Sequence, residues 1–361
     1  MRLTVGVDAR AAAEVPAGRG RYVRELLRAW SSLEDAADVR FLLYAREPWG
    51  ELDPERFAWR LIGLPDPAWH LATAARASRE VDVFLSTNSY LTAWFCLRPT
   101  AVVIYDLVPF VAGARAQSRA ARIERATIRP ALRRAAALPC ISQATLDDLI
   151  ARFPHAAAKA SVIPLAADPA FSEPISRPGH PELDGPYVLA VGTLEPRKNL
   201  ERLIAAWTSL PEEVRGEHVL ALVGPRGWDD APILAAARDA GARLLGRVSD
   251  EELRALYAGA SVFAYPSLYE GFGLPVLEAM AAGAPVLTSN VSSLPEVAGD
   301  AALLVDPLDT GAIAAGLRRL LTDPRLRSEL GERGRARARE FSWERTARET
   351  LALLRGAAGR R

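Results

Sequence analysis

The sequence predicts an α/β chain of two parallel-sheet domains that face each other across a cleft. Three observations predict it. At 361 residues the chain is too long for one ordinary hydrophobic core. Short apolar runs alternate with helical patterns along two separate stretches, the layout of parallel sheets with helices on both faces. Between Asp168 and Pro186 the alternation stops, and Pro169, Pro174, Pro178, Pro181 and Pro186 exclude regular helix or strand.

The first series opens with a strand at Leu3 to Val7. A helix follows over Arg21 to Trp30, where Tyr22, Val23, Leu26, Leu27 and Trp30 share one face. Arg40 to Tyr44, Val81 to Leu85, Ala101 to Ile104 and Ala137 to Ile141 are the further strands. The second series has strands at Tyr187 to Val191, His218 to Val223, Arg243 to Leu245, Ser261 to Tyr265, Pro285 to Thr288 and Ala302 to Val305. Beyond Asp309 the chain is helical and arginine-rich, and Ser342 caps a last helix. The expected organisation is therefore a domain over 1–168, a linker over 169–186, a domain over 187–340 and a terminal helix over 341–361. Ligands of open parallel sheets sit at the strand C-terminal ends.

Composition narrows the function classes. Half of the residues are hydrophobic and 25% are charged, which fits a soluble globular protein. Forty-five basic and 44 acidic residues leave a net charge of +1, so no global field points to nucleic acid. No run is long and apolar enough to span a bilayer. Met1 to Asp8 reads as a short strand and not as a secretion signal. Cys96 and Cys140 stand far apart and read as core residues of a reduced, cytoplasmic protein.

The most informative stretch is Tyr265-Pro-Ser-Leu-Tyr-Glu270-Gly-Phe-Gly-Leu-Pro275-Val-Leu-Glu278, continued to Gly283. A buried strand ends at Tyr265. Gly271 and Gly273 let the backbone approach a ligand closely. Pro275 suits a helix start and Gly283 a helix stop. Glycine amides beside a helix N-terminus attract an anion, and carboxylates accept from hydroxyl groups. Phosphate oxygens and sugar hydroxyls held together are what a nucleotide-sugar site needs. A second string, Val191-Gly192-Thr193-Leu194-Glu195-Pro196-Arg197-Lys198-Asn199-Leu200, also follows a strand and opens a helix, with Asn199 as its cap. Arg197 offers a forked donor and Lys198 a compact charge, a pair suited to a diphosphate. His70, His155, His180 and His218 are scattered without metal-ligand spacing, and no Asp-x-Asp pair occurs.

These strings resemble the E-x7-E and G-x-x-x-x-x-K-N segments of the retaining family-4 (group 1) glycosyltransferases, whose glycosyltransferase-B fold has two Rossmann-like domains facing across a cleft. The resemblance covers nearly the whole chain and is strongest from Val188 to Val305. It implies that Arg197 and Lys198 stabilise the departing diphosphate without a metal, and that Glu278 binds the ribose. It places Glu270 by the donor sugar in an electrostatic role. The backbone of Gly271, Phe272, Gly273 and Leu274, with Gly192, contacts sugar and phosphate. Gly246 to Asp250, with Val248, resembles the nucleobase segment, although a strand end with Asp250 as a helix cap reads equally well. Ala17-Gly18-Arg19-Gly20-Arg21-Tyr22 resembles the loop that closes over the donor phosphates. Ile104-Tyr105-Asp106-Leu107-Val108-Pro109 resembles a His-Asp-Leu-x-Pro segment, with Tyr105 where the family has His. Asp106 is expected to contact sugar or acceptor. The terminal helix is implied to cross back onto the first domain.

The resemblance implies a hexosyltransferase that uses a nucleoside-diphosphate sugar, GDP-mannose or another hexose donor, as substrate and needs no cofactor. A glycan, a lipid-linked saccharide or a small hydroxylated metabolite would be the acceptor. A nucleotide-sugar epimerase of the same fold and a non-catalytic nucleotide- or carbohydrate-binding protein remain the alternatives. Arg115, Arg119, Arg122, Arg125, Arg129, Arg133 and Arg134 crowd a helical stretch with Glu124 almost the sole acid. That run raises peripheral contact with an anionic membrane at the inner face, although its own face carries little apolar anchor.

Overall fold

This computed structural model of the protein describes residues 2–15, 18–110, 119–176, 180–183 and 185–359. The chain divides into two compact units, Met1–Leu165 with Ser342–Arg361, and Ala166–Phe341.

The first unit contains strands β1 (Leu3–Asp8), β2 (Val39–Ala45), β3 (Phe57–Leu61), β4 (Val83–Ser86), β5 (Thr100–Val102), β6 (Leu138–Cys140) and β7 (Ala160–Val162). Its helices are α1 (Arg10–Glu14), α2 (Arg19–Ser32), α3 (Ala68–Glu80), α4 (Tyr90–Phe95), α5 (Arg119–Arg134) and α6 (Gln143–Arg152). The main sheet is parallel with order β3-β2-β1-β4-β5, and β6 joins β5 through bridges at Ala101–Ala137 and Ile104–Cys140. The order reverses beside β1, which puts the C-terminal ends of β1 and β4 at a switch point. Edge strand β3 and three-residue β7 carry no alternation, which is why periodicity did not find them.

Helix α2 begins at Arg19, two residues earlier than its apolar spacing indicates, with Gly18 at φ 53° ahead of it. Tyr22, Val23, Leu26, Leu27 and Trp30 are all buried. Trp30 stacks on Phe41 at 4.7 Å and Phe41 on Phe57 at 4.9 Å. Such pairs contribute about 0.5–1.5 kcal/mol beyond area burial. The terminal helix belongs to this unit: the Trp30 indole donates to Ala347 O at 3.0 Å, and Thr346 Oγ1 donates to Pro164 O at 2.7 Å. Ser342 Oγ caps that helix by accepting from Arg345 N.

The second unit holds β8 (Tyr187–Val191), β9 (Val219–Val223), β10 (Arg243–Gly246), β11 (Val262–Tyr265), β12 (Val286–Ser289) and β13 (Ala302–Val305) in the parallel order β10-β9-β8-β11-β12-β13. Around them lie α7 (Leu200–Thr208), α8 (Glu212–Arg215), α9 (Ala231–Asp239), α10 (Asp250–Gly259), α11 (Leu274–Ala282), α12 (Leu294–Ala298), α13 (Thr310–Thr322) and α14 (Pro324–Ala338); helix α15 (Trp343–Ala358) is the one that returns to the first unit. Strands β8, β9, β11 and β12 are almost wholly buried, as strands covered on both faces are.

The segment 169–186 is more than a connection. Phe171 is buried edge-on against Tyr257 at 5.7 Å, and Glu173 pairs with Arg254 at 3.1 Å. An aromatic anchor outweighs the prolines at the start of this stretch, where Phe171 and Glu173 pack into the second unit. Pro178 lies outside the described residues. Two caps also differ from expectation. Ser249, not Asp250, caps α10, in a capping box with Glu252. Asn199 precedes α7 at φ 59° but its side chain makes no cap bond. Its amide donates instead to Pro266 O and Pro307 O, at 3.0 and 2.7 Å.

Candidate functional site

In the second unit, β8 and β9 end in two glycines pressed against each other. Gly192 has φ 148° and Gly224 φ 142°, and a Cβ on Gly224 would stand 2.0 Å from Gly192 O. A Cβ on Gly192 would meet Lys198 Cε at 3.1 Å. The glycines thus let a single 3-10 turn, Pro196–Lys198, fold back over the sheet edge. That turn delivers both cations to Glu270. Arg197 Nη1 stands 2.7 Å from Glu270 Oε2, and Lys198 Nζ stands 2.6 Å from Oε1. The Tyr265 hydroxyl donates to Glu270 Oε1 at 2.8 Å and also accepts from Lys198 Nζ.

Glu195 completes the cluster. Its Oε1 accepts from Arg197 Nε at 3.0 Å and from Nη2 at 2.6 Å, and its Oε2 accepts from the Trp228 indole at 3.1 Å. Arg197 Nη1 donates further to Tyr269 O at 2.7 Å. With these bonds made, one Nη2 hydrogen of Arg197 and one Nζ hydrogen of Lys198 remain for a ligand. Two cations face two carboxylates, so the cluster is balanced in charge.

Burial works against the Glu270 carboxylate, but Arg197 and Lys198 override it and hold its pKa down at about 2. Burial pulls the Lys198 ammonium below its usual range, opposed by Glu270. Burial pushes the Tyr265 hydroxyl well up, with Glu270 adding to it, so Tyr265 stays a protonated donor. The Glu270 backbone is fixed as well. Its N–H donates to Ser292 Oγ at 2.9 Å, and its carbonyl accepts from Ser292 and from Ser293 at 2.9 Å.

The remaining expected positions are placed as follows. Gly273, at φ 108°, precedes α11; Leu274 opens it, Pro275 follows, and Gly283 at φ 84° ends it. Glu278 is buried within α11 and accepts from the Tyr257 hydroxyl at 3.2 Å. Phe272 is buried edge-on against Phe341 at 5.8 Å, and Ser293 donates to its carbonyl. Its side chain thus packs in the core, and its carbonyl is tied to Ser293. Val248 is half-buried between Gly246, at φ 66°, and the α10 cap.

In the first unit, Gly20 is a packing glycine inside α2. A Cβ there would lie 1.7 Å from Val15 O, so its backbone is committed to the α1–α2 contact and not to a covering loop. Gly18 stands just before the helix, and Ala17 lies outside the described residues. Arg19 reaches Glu124 Oε1 at 3.3 Å and lies 5.4 Å over the Tyr105 ring. The Tyr105 hydroxyl is buried with no hydrogen-bond partner among the described residues. Asp106 Oδ1 accepts from Val108 N at 2.9 Å, which makes it a turn residue as well as a candidate contact. Arg19, Tyr105, Asp106 and Glu124 line a cavity of about 250 Å³ within this unit, together with Asp66 and His70.

Sequence reading missed the far wall of that cavity. Arg10 is buried, bonds Asp66 Oδ1 at 2.7 Å and lies 4.4 Å over the Trp69 ring. His70 Nδ1 contacts Thr92 Oγ1 at 2.7 Å. Burial and then Arg10 lower the His70 pKa to about 4, so the ring is neutral near pH 7. Burial raises Asp8 to about 6 against the pull of Arg10. These residues are far apart in sequence, and the sole signal was charged side chains following strand ends. Among the described residues no group of three His, Cys, Asp or Glu side chains is arranged to hold a metal.

Two doubly wound α/β units, one with a glycine-cornered Arg–Lys–Glu cluster at its strand ends, define the glycosyltransferase-B fold. Comparison with known proteins gives the family. Residues 172–337 match the family model described as Glycosyl transferases group 1, and residues 16–171 match Glycosyltransferase Family 4. Together the two models span residues 16–337, and the matches support a group 1 glycosyltransferase. It is 48% identical over 169 residues to the O-antigen chain mannosyltransferase B of Escherichia coli, a match covering 46% of this chain and 44% of that protein. It is 35% identical over 226 residues to the MMP alpha-(1->4)-mannosyltransferase of Mycolicibacterium hassiacum, covering 61% and 54%. The matched stretches thus span about half the length of these curated relatives. Among solved structures, sucrose-phosphate synthase from Thermosynechococcus elongatus aligns with a TM-score of 0.76 at 23% identity, over 98% of this chain and 99% of that one.

Proposed function

We propose that the protein is a retaining hexosyltransferase that moves mannose from GDP-mannose to a hydroxyl of a glycan or lipid-linked saccharide, without a metal ion. The observation that carries this reading is the convergence of Arg197 and Lys198 on Glu270 beside the Gly192 corner. Two relatives named as mannosyltransferases favour the sugar, and one named for O-antigen chains favours a glycan acceptor.

Breaking a glycosyl–phosphate bond builds negative charge on the leaving diphosphate. Fixed cations aimed there stabilise the transition state more than the ground state. The free donors of Arg197 and Lys198 do this work in our reading. Glu270 anchors both cations and orients the sugar, and Glu278 takes the ribose. Asp106 of the first unit is our candidate for a sugar or acceptor contact. A lipid-linked acceptor would bring the protein to a membrane surface.

The test is a melting-point screen of GDP, UDP and their sugars, followed by transfer assays with and without EDTA. GDP and GDP-mannose should raise the melting point of the wild type and not of Arg197→Ala/Lys198→Ala. Product NMR should show an axial anomeric bond. Loss of turnover in EDTA with recovery on adding a divalent ion would refute the metal-free route. Isomerised sugar from donor alone would refute transfer.

A further inference from the structure

Helix α5 and the end of α4 build a surface that the arginine run alone did not reveal. Residues 119–134 contain six arginines and Glu124 as the lone acid. Glu124 faces inward and accepts from Arg19. At 100° per residue, Arg122, Arg129 and Arg133 fall within about 40° of one another on the helix. All three are exposed, and none has an ion-pair partner among the described residues. Ile123, Pro130 and Arg134 form the adjoining stripe, and Ile123 is 49% exposed.

The apolar anchor comes from the neighbouring element. Trp94 and Phe95 stack on each other at 5.0 Å and are 39% and 43% exposed, and Leu97 just beyond them is 74% exposed. Arg134 Nε donates to Cys96 O at 3.2 Å, which ties the arginine helix to this apolar tip. Arg98, next along the chain, is held by its Nε on Ser78 O at 2.9 Å. Large side chains left in water cost free energy unless something covers them.

We propose that Trp94, Phe95 and Leu97, with the Arg122, Arg129, Arg133 and Arg134 guanidinium groups, dock the protein on an anionic lipid bilayer. The proposal deepens the membrane contact named above and rests on that reading. Charge complementarity selects the occupant. Guanidinium groups without carboxylate partners match lipid phosphates, and Trp and Phe settle at the headgroup boundary. No helix among the described residues is long and apolar enough to cross the membrane, so this contact is peripheral.

The test is co-sedimentation with phosphatidylcholine vesicles, alone or with about 30% phosphatidylglycerol. Wild type should sediment only with the anionic vesicles. Arg129→Gln/Arg133→Gln should weaken partition about 25-fold, roughly fivefold per arginine. The control pair Arg318→Gln/Arg319→Gln on α13 should change it less than twofold. Trp94→Ser/Leu97→Ser should weaken binding at low and high salt alike. Melting points report folding, and Leu97→Ser alone serves if the double variant unfolds. Equal sedimentation with neutral and anionic vesicles, or equal loss in the control pair, overturns the proposal. Nucleotide melting shifts are read separately, so loss of docking with an intact GDP response leaves the transferase reading standing, and the converse leaves the docking surface standing.

Discussion

Replacing Glu195 with Gln separates holding a cation in place from merely neutralising it. Glu195 is nearly buried and receives two Arg197 bonds on one oxygen and the Trp228 bond on the other. A Gln amide presents one oxygen and one NH2, so whichever way it turns, either Arg197 or Trp228 faces a donor. One hydrogen bond to a charged group is lost, about 1.5–3 kcal/mol. For a unit of this size that is a melting-point drop of roughly 4–10 °C. The variant also leaves the cluster with one excess positive charge. GDP should therefore bind equally well or more tightly, while turnover falls about 10- to 100-fold because a neutral amide, whichever way it turns, holds Arg197 less firmly than the Trp228-braced carboxylate does. The assay pairs calorimetric GDP binding with steady-state transfer. Turnover within twofold of wild type, or weaker GDP binding at unchanged turnover, would refute the argument.

Other outcomes follow from the same geometry. Glu270 is held at about 2 against an ordinary 4.5, so its contribution is full above pH ~4.5 and is lost as pH falls toward ~2. That amounts to about 3 kcal/mol, and Glu270→Gln should flatten the acid limb of a pH–melting profile. Asp8 has the opposite sign: its pKa is raised to about 6, so it costs stability as pH rises from ~4 through ~6. Asp8→Asn should melt higher than wild type at pH 7.5 and equally at pH 4, measured by scanning calorimetry. Gly20→Ala drives a Cβ to within 1.7 Å of Val15 O and should destabilise the first unit by more than about 3 kcal/mol in urea titration.

Elements with a strong local signature were legible. The strands from Tyr187 to Val305 were found within a residue or so, because central parallel strands are continuous apolar runs. Pro275 and Gly283 mark the start and stop of a helix in the sequence, and α11 runs between them from Leu274 to Ala282. The contact of Arg197 and Lys198 with Glu270 lay within reach once both strings were placed at strand ends. Glu195 was passed over, because a glutamate on a turn has no local mark that distinguishes a solvated residue from a clamp. The residue type of Asn199 points to a cap, yet its Oδ1 accepts from Arg202 and its Nδ2 is held by the Pro266 and Pro307 carbonyls, so the side chain does not cap α7. The Arg10–Asp66–His70 wall depends on residues some 60 positions apart, which periodicity does not connect. Leu97 and Trp94 carry no local mark in the sequence, and only the fold shows that they stand exposed.

The even match of two cations and two carboxylates around Arg197 has a kinetic meaning. A pocket without net charge exerts little pull beyond its own walls, and dissolved ions have little there to screen. Encounter with a doubly charged nucleotide should then proceed at nearly the same speed in dilute buffer and in brine. On the proposed reading, selection would fall on contact, when phosphate oxygens reach the two hydrogens still on offer.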